Sequence, residues 1–283
     1  MTTVKLLSKL LFLVLLIVSA LSQWAYPIRV GQLSSDQDDF APCWSTVDST
    51  LYFSRQGRSD LVVLACPWRR LLQAGFPNSN RVQFDTINDG IPYASFSAER
   101  WVGHRLTASE RQPIAQLVTA SALRSTSAGA VEPIVELNRE NHFVMFPALS
   151  GDGRMLVFAT TAESENYTTD LWVSQWDGTQ WSVPFPLEGF EQSSGSEITP
   201  CFVGRDTLIF ASNGFGGKGG FDLFMTVRHG GVWSAPQPLS ELNSAADDRD
   251  PCLLPTGDLL FASNRTGQFD LYYARRERKL SNP

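Results

Sequence analysis

One stretch of the chain is written twice. Pro200–Phe224 reads PCFVGRDTLIFASNGFGGKGGFDLF, and Pro251–Tyr272 reads PCLLPTGDLLFASNRTGQFDLY. Both run Pro-Cys, a short turn, an apolar strand ending Phe-Ala-Ser-Asn, a glycine-bearing turn, and Phe-Asp-Leu-aromatic. Self-similarity at this period predicts a ring of small sheets, the blades of a β-propeller. Each unit exposes apolar faces that only its neighbours can cover.

Taking the proline that opens each first strand as an anchor gives five units, at Pro42, Pro92, Pro147, Pro200 and Pro251, spaced 50–55 residues apart. The repeats begin near residues 39, 89, 144, 197 and 248. Four strands of five or six residues plus turns fill such a length. The second strand is a continuous apolar run (Leu51–Phe53, Met155–Phe158, Leu208–Phe210, Leu259–Phe261), as in strands buried on both faces. The third opens with Asp-Leu at Asp60, Asp170, Asp222 and Asp270. The fourth is polar and tolerates proline, which suits an outer edge. The fifth unit lacks a fourth strand, and Tyr26–Ser34 resembles Ala235–Ser244, the outer segment of the fourth unit. The expected fold is an all-β, five-bladed propeller of four antiparallel strands, closed by an N-terminal strand. Six blades are the alternative, if the degenerate second copy hides an insertion.

Residues 1–22 read as a cleaved export signal: Lys5 and Lys9, then the apolar run Leu10–Val18, then small residues. The run is shorter than the roughly 20 residues a spanning helix needs. Residues 23–283 are then one propeller domain, periplasmic or secreted, not membrane-spanning and monomeric. No cysteine lies near the cleavage position to carry a lipid. The net charge of −6 excludes a general nucleic-acid binder. Cys43, Cys201 and Cys252 share one repeat position and, like Cys66, read as small buried thiols, with their disulfide state open. The three histidines are scattered and no Cys-x-x-Cys occurs, so neither a metal site nor a cofactor is expected.

The acidic residues carry the functional question. The Asp of each Asp-Leu pair recurs because a turn carboxylate can accept backbone N–H groups. A second acidic row lies three residues before the proline, at Asp39, Asp89, Glu197 and Asp248. It reads either as carboxylates gripping a cation or sugar at a channel mouth, or as bonds to the next blade. With Asp38, Asp247 and Asp250, the closure between the fifth and first units is the most acidic stretch. The glycine-rich turn containing Gly216, Gly217 and Lys218 lacks a phosphate-loop signature and reads as a contact loop. No pair of carboxylates stands out as an acid and a base.

The pattern P-x-x-x-x-D-G-x-x-L-x-F-x-S-N-x-x-G-x-x-D-L-Y resembles the TolB-type, WD-repeat-like propeller motif of bacterial envelope proteins, strongly over Pro147–Arg276. That resemblance implies a non-catalytic scaffold that binds another envelope protein, and not an enzyme. The contact residues would be Asp39, Asp89, Glu197, Asp248, Gly216, Gly217 and Lys218. The alternatives are a carbohydrate-binding or glycoside-hydrolase-like propeller, with a sugar as ligand, and a secreted surface component.

Overall fold

The computed structural model describes residues 24–277 apart from 58–59, 79–81, 88–90, 98–99, 108–113, 120–130, 139–141, 162–167 and 191–192. The export-signal segment and Asp89 lie outside the described residues. Five antiparallel sheets make five blades. After β1 (Ile28–Arg29), the first blade holds β2 (Asp38–Ser45), β3 (Thr50–Gln56), β4 (Leu61–Pro67) and β5 (Asp85–Ile87), with the short helix α1 (Trp68–Gln73) before its last strand. The second holds β6 (Tyr93–Phe96), β7 (Trp101–Thr107), β8 (Ile114–Thr119) and β9 (Glu132–Pro133). The third holds β10 (Val144–Leu149), β11 (Met155–Thr160), β12 (Asp170–Gln175) and β13 (Phe185–Pro186). The fourth holds β14 (Glu197–Phe202), β15 (Thr207–Ser212), β16 (Asp222–His229), β17 (Val232–Trp233) and β18 (Gln237–Pro238). The fifth holds β19 (Asp248–Leu253), β20 (Leu259–Ser263) and β21 (Asp270–Ala274).

The core is a ring of five apolar clusters, one between each pair of neighbouring blades. The second strand of each blade feeds the clusters on both sides. Phe53, Phe158, Phe210 and Phe261 occupy one repeat position and are at most 1% exposed. In the degenerate second blade Gly103 stands there, and a Cβ on it would crowd Ile91 and Trp101. Trp101 supplies the bulk that the missing phenylalanine would have given.

The ring closes as the sequence predicts. β1 pairs antiparallel with β21, Ile28 opposite Tyr273 and Arg29 opposite Tyr272. The Arg29 guanidinium donates two hydrogen bonds to Asp270, at 2.7 and 2.9 Å. Val30 and Leu33 are fully buried in the cluster between the fifth and first blades. Deleting residues 23–36 removes both side chains and reopens a strand edge. The expected outcome is a melting temperature lower by about 10 °C or more, measured by calorimetry.

Candidate functional site

A kink repeated in four first strands shapes the channel. In β2, β10, β14 and β19 the pairing with the next strand slips, between Phe40 and Cys43, Met145 and Ala148, Ile198 and Cys201, and Arg249 and Cys252. Each bulge places one residue before the proline at positive φ: Ala41 (52°), Phe146 (54°), Thr199 (49°) and Asp250 (56°). Proline has no N–H, so the bulge leaves no ladder donor unpaired. Left-handed backbone at a non-glycine residue costs on the order of 1–3 kcal/mol and persists only where the surroundings enforce it. Here the bulge residues meet at the channel axis. The second blade shows no bulge among the described residues; there Tyr93, paired with His104 and so level in register with Phe40, Met145, Ile198 and Arg249, reaches the same layer.

These five residues form a floor. Asp250 is 3% exposed, and its Oδ2 accepts the Ala41 N–H at 3.0 Å and faces the Tyr93 hydroxyl at 3.5 Å. The Asp250 N–H donates to Thr199 Oγ1 at 3.1 Å. The rings of Tyr93 and Phe146 meet edge to face, 4.6 Å apart. His104 stacks on Tyr93 at 5.6 Å, and burial pushes its pKa down to about 4, so it is neutral. Arg249 lies with its guanidinium 4.1 Å from the centre of the Phe269 ring and its Nε 3.7 Å from Asp250.

Beside the floor is a chamber of about 440 Å³, lined by the first strands and by the turns that follow them, including Gly151, Gly204 and Gly257. Trp44, Phe96, Phe146 and Phe202 form much of its wall, and Asp250 is the only carboxylate lining it among the described residues. Burial raises the Asp250 pKa, opposed by Arg249 and the Ala41 N–H. Oδ1 of Asp250 is buried without a hydrogen-bond partner among the described residues. Cys43, Cys201 and Cys252 also line the chamber as thiols, and burial pushes Cys201 up to about 11. Among the described residues no His, Cys, Asp or Glu cluster is arranged to hold a metal.

The acidic row lies elsewhere, at the seams between blades. Asp39, Glu197 and Asp248 are fully buried. Each accepts from a serine four residues earlier: Asp39 from the Ser35 N–H and hydroxyl, Asp248 from those of Ser244, and Glu197 from the Ser193 hydroxyl. Each also reaches the end of its own second strand, or just beyond it, through Arg55, Ser212 or Arg265. Their own N–H groups bond to Phe269, Thr169 and Phe221 of the preceding blade. The carboxylates therefore fasten blade to blade. Asp222 accepts the Lys218 and Gly219 N–H groups at 2.7 and 3.0 Å, and a Cβ on Gly217 would collide with that carboxylate. Gly216 takes positive φ (73°), and Lys218 Nζ caps the Ser240 and Asn243 carbonyls. Thus Gly216, Gly217 and Lys218 wrap an aspartate, and none of these residues lines the chamber. What the sequence reading undervalued was the residue before each proline, where blade five alone carries a charge.

No family model matches the chain, and no curated protein matches it. Solved structures do. An α-L-arabinofuranosidase from Lactobacillus brevis is similar at TM-score 0.58 and 10% identity, over 88% of this chain and 92% of that one. A thermostable family-43 glycoside hydrolase is similar at TM-score 0.52 and 8% identity, over 89% and 92%. A TolB protein from Agrobacterium tumefaciens reaches TM-score 0.49 at 12% identity, over 89% and 97%. At such identities the likeness establishes the propeller fold. It also corrects two expectations, the non-catalytic protein-binding scaffold and the absence of an enzyme. The two of these neighbours with TM-scores above 0.5 are glycoside hydrolases.

Two predictions follow from the seams. Asp248→Ala removes the buried carboxylate that pairs with the half-buried Arg265 and accepts from Ser244, and is expected to lower stability by about 3 kcal/mol in denaturant unfolding. Glu197 has a serine where the other seams have an arginine. Burial, with Asp170 nearby, pushes its pKa up to about 7 from an ordinary 4.5. The folded state then holds a proton that the unfolded state releases. Stability is greatest below pH 4.5 from this group and declines through pH 7, by on the order of 3 kcal/mol. Glu197→Gln is expected to flatten that decline when unfolding is measured from pH 4.5 to 8.

Proposed function

We propose that the protein is a carbohydrate-active propeller that holds one sugar residue of a glycoside in the axial chamber, with Asp250 as the acid–base carboxyl group at its floor. The observation that carries this reading is a lone buried carboxylate, with one oxygen unpartnered, in a concave chamber otherwise walled by aromatic and small apolar side chains. Sugars offer apolar C–H faces and a few hydroxyls, and a concave apolar wall with few polar groups suits them. A carboxylate at the floor faces the side of the sugar away from the leaving oxygen, where it can serve as the base for the attacking water, and burial raises its pKa towards that task.

Glycoside hydrolysis also uses an acid at the leaving oxygen, which in this arrangement stands on the mouth side of the chamber. The fold likeness to glycoside hydrolases agrees with this reading. The leader-like residues 1–22 would carry the protein to where polymeric glycans occur, in the periplasm or medium.

The test is hydrolysis of aryl glycosides, α-L-arabinofuranosides among them, and of arabinan and arabinoxylan. Turnover is expected, falling by about 100-fold or more in Asp250→Asn at an unchanged melting temperature. Asparagine keeps an acceptor for the Ala41 N–H. Absence of turnover on every substrate, with no sugar protecting the chamber, would overturn the reading.

A further inference from the structure

Resting on that reading, we infer that the chamber is blind and accepts only the terminal residue of a glycan, end on, so that a chain cannot thread through the ring. The argument is the connectivity of the floor. Tyr93 belongs to the second blade and Asp250 to the fifth, with the first blade between them. Their approach at 3.5 Å therefore runs past the bulge of the first blade, whose Ala41 N–H bonds to the same carboxylate oxygen. Thr199 ties the fourth blade to Asp250, and Phe146 of the third blade closes on Tyr93. All five blades contribute one residue to a single connected layer.

Ala41, Thr199 and Asp250 in that layer are at most 5% exposed. The residues that precede the bulges, Phe40, Met145, Ile198 and Arg249, do not line the chamber. Its wall instead runs from the floor to Thr46, Gly151, Gly204 and Gly257 in the turns at one end of the ring. Glycine at three of these turns adds no side chain to that mouth. An internal sugar residue carries chain on both sides, and a pocket with one mouth has no exit for the second side. A terminal residue needs none.

Cys201 provides a reading of occupancy apart from catalysis, because it lines the chamber and is partly exposed. The protein is treated with a small methanethiosulfonate reagent, and modification of Cys201 is followed by peptide mass spectrometry. The runs contain arabinose, an arabino-oligosaccharide, or the same oligosaccharide with its non-reducing end chemically blocked. The expected result is slower Cys201 modification, by several-fold, with the first two and none with the blocked chain. In parallel, linear arabinan is expected to release monosaccharide while its mean chain length falls slowly. Protection by the blocked chain, or mid-length fragments from end-blocked arabinan, would overturn the blind-chamber inference while leaving the carbohydrate reading intact. Failure of every sugar both to protect Cys201 and to be hydrolysed would remove the carbohydrate reading and the inference with it.

Discussion

Everything in this molecule depends on burial between neighbouring blades. The second strand of a blade has no solvent face, since both its surfaces are apolar and both must be covered by other blades. A single repeat therefore cannot fold by itself, and an open row would leave two apolar faces in water. The ring must close, and β1 closes it by taking the outer place beside β21. The seam carboxylates add direction to this packing. Asp39, Glu197 and Asp248 each bind a serine on the preceding connection and a partner at the end of their own second strand. Packing alone would leave the angle between sheets loosely determined, and buried hydrogen bonds to a carboxylate fix it.

The same geometry that closes the ring creates the chamber. Five inner strands around an axis leave a central space, and the bulges narrow it by turning one residue inward from each of four of them. Backbone strain at Ala41, Phe146, Thr199 and Asp250 is tolerated because the surrounding sheets hold the strand on both sides. Four of the five floor positions carry no charge, and the fifth is an aspartate. That asymmetry in an otherwise repeated structure is what the proposed function rests on. The carboxylates that recur from seam to seam fasten blades, and the one that does not recur stands at the floor.

Much of the fold was legible from the chain. The duplicated segment gave the blade, the proline spacing gave five of them, and the likeness of Tyr26–Ser34 to Ala235–Ser244 gave the closure. These features can be read from the chain directly, because continuous apolar runs with glycine turns report themselves. The faded second blade was legible only as an irregular copy, because Trp101 replaces a phenylalanine from a neighbouring position. The site was much less legible. The buried row at Asp39, Glu197 and Asp248 drew attention because it repeats near a channel mouth, and the resemblance to TolB-type repeats pointed towards a scaffold. Pattern in sequence does not distinguish a carboxylate aimed at a seam from one aimed at an axis.

By itself, then, the sequence determined the repeat, the blade number and the strand that completes the ring, because apolar runs and turn residues recur about every 50 residues. The tertiary structure alone decided which acidic residue meets the axis, that the channel has a floor, and that Tyr93 and Asp250 lie together although 157 residues separate them. Those facts arise from the rotation of one blade onto the next and from the slip of each inner strand at its bulge. Both are properties of the closed ring, and no single repeat contains them.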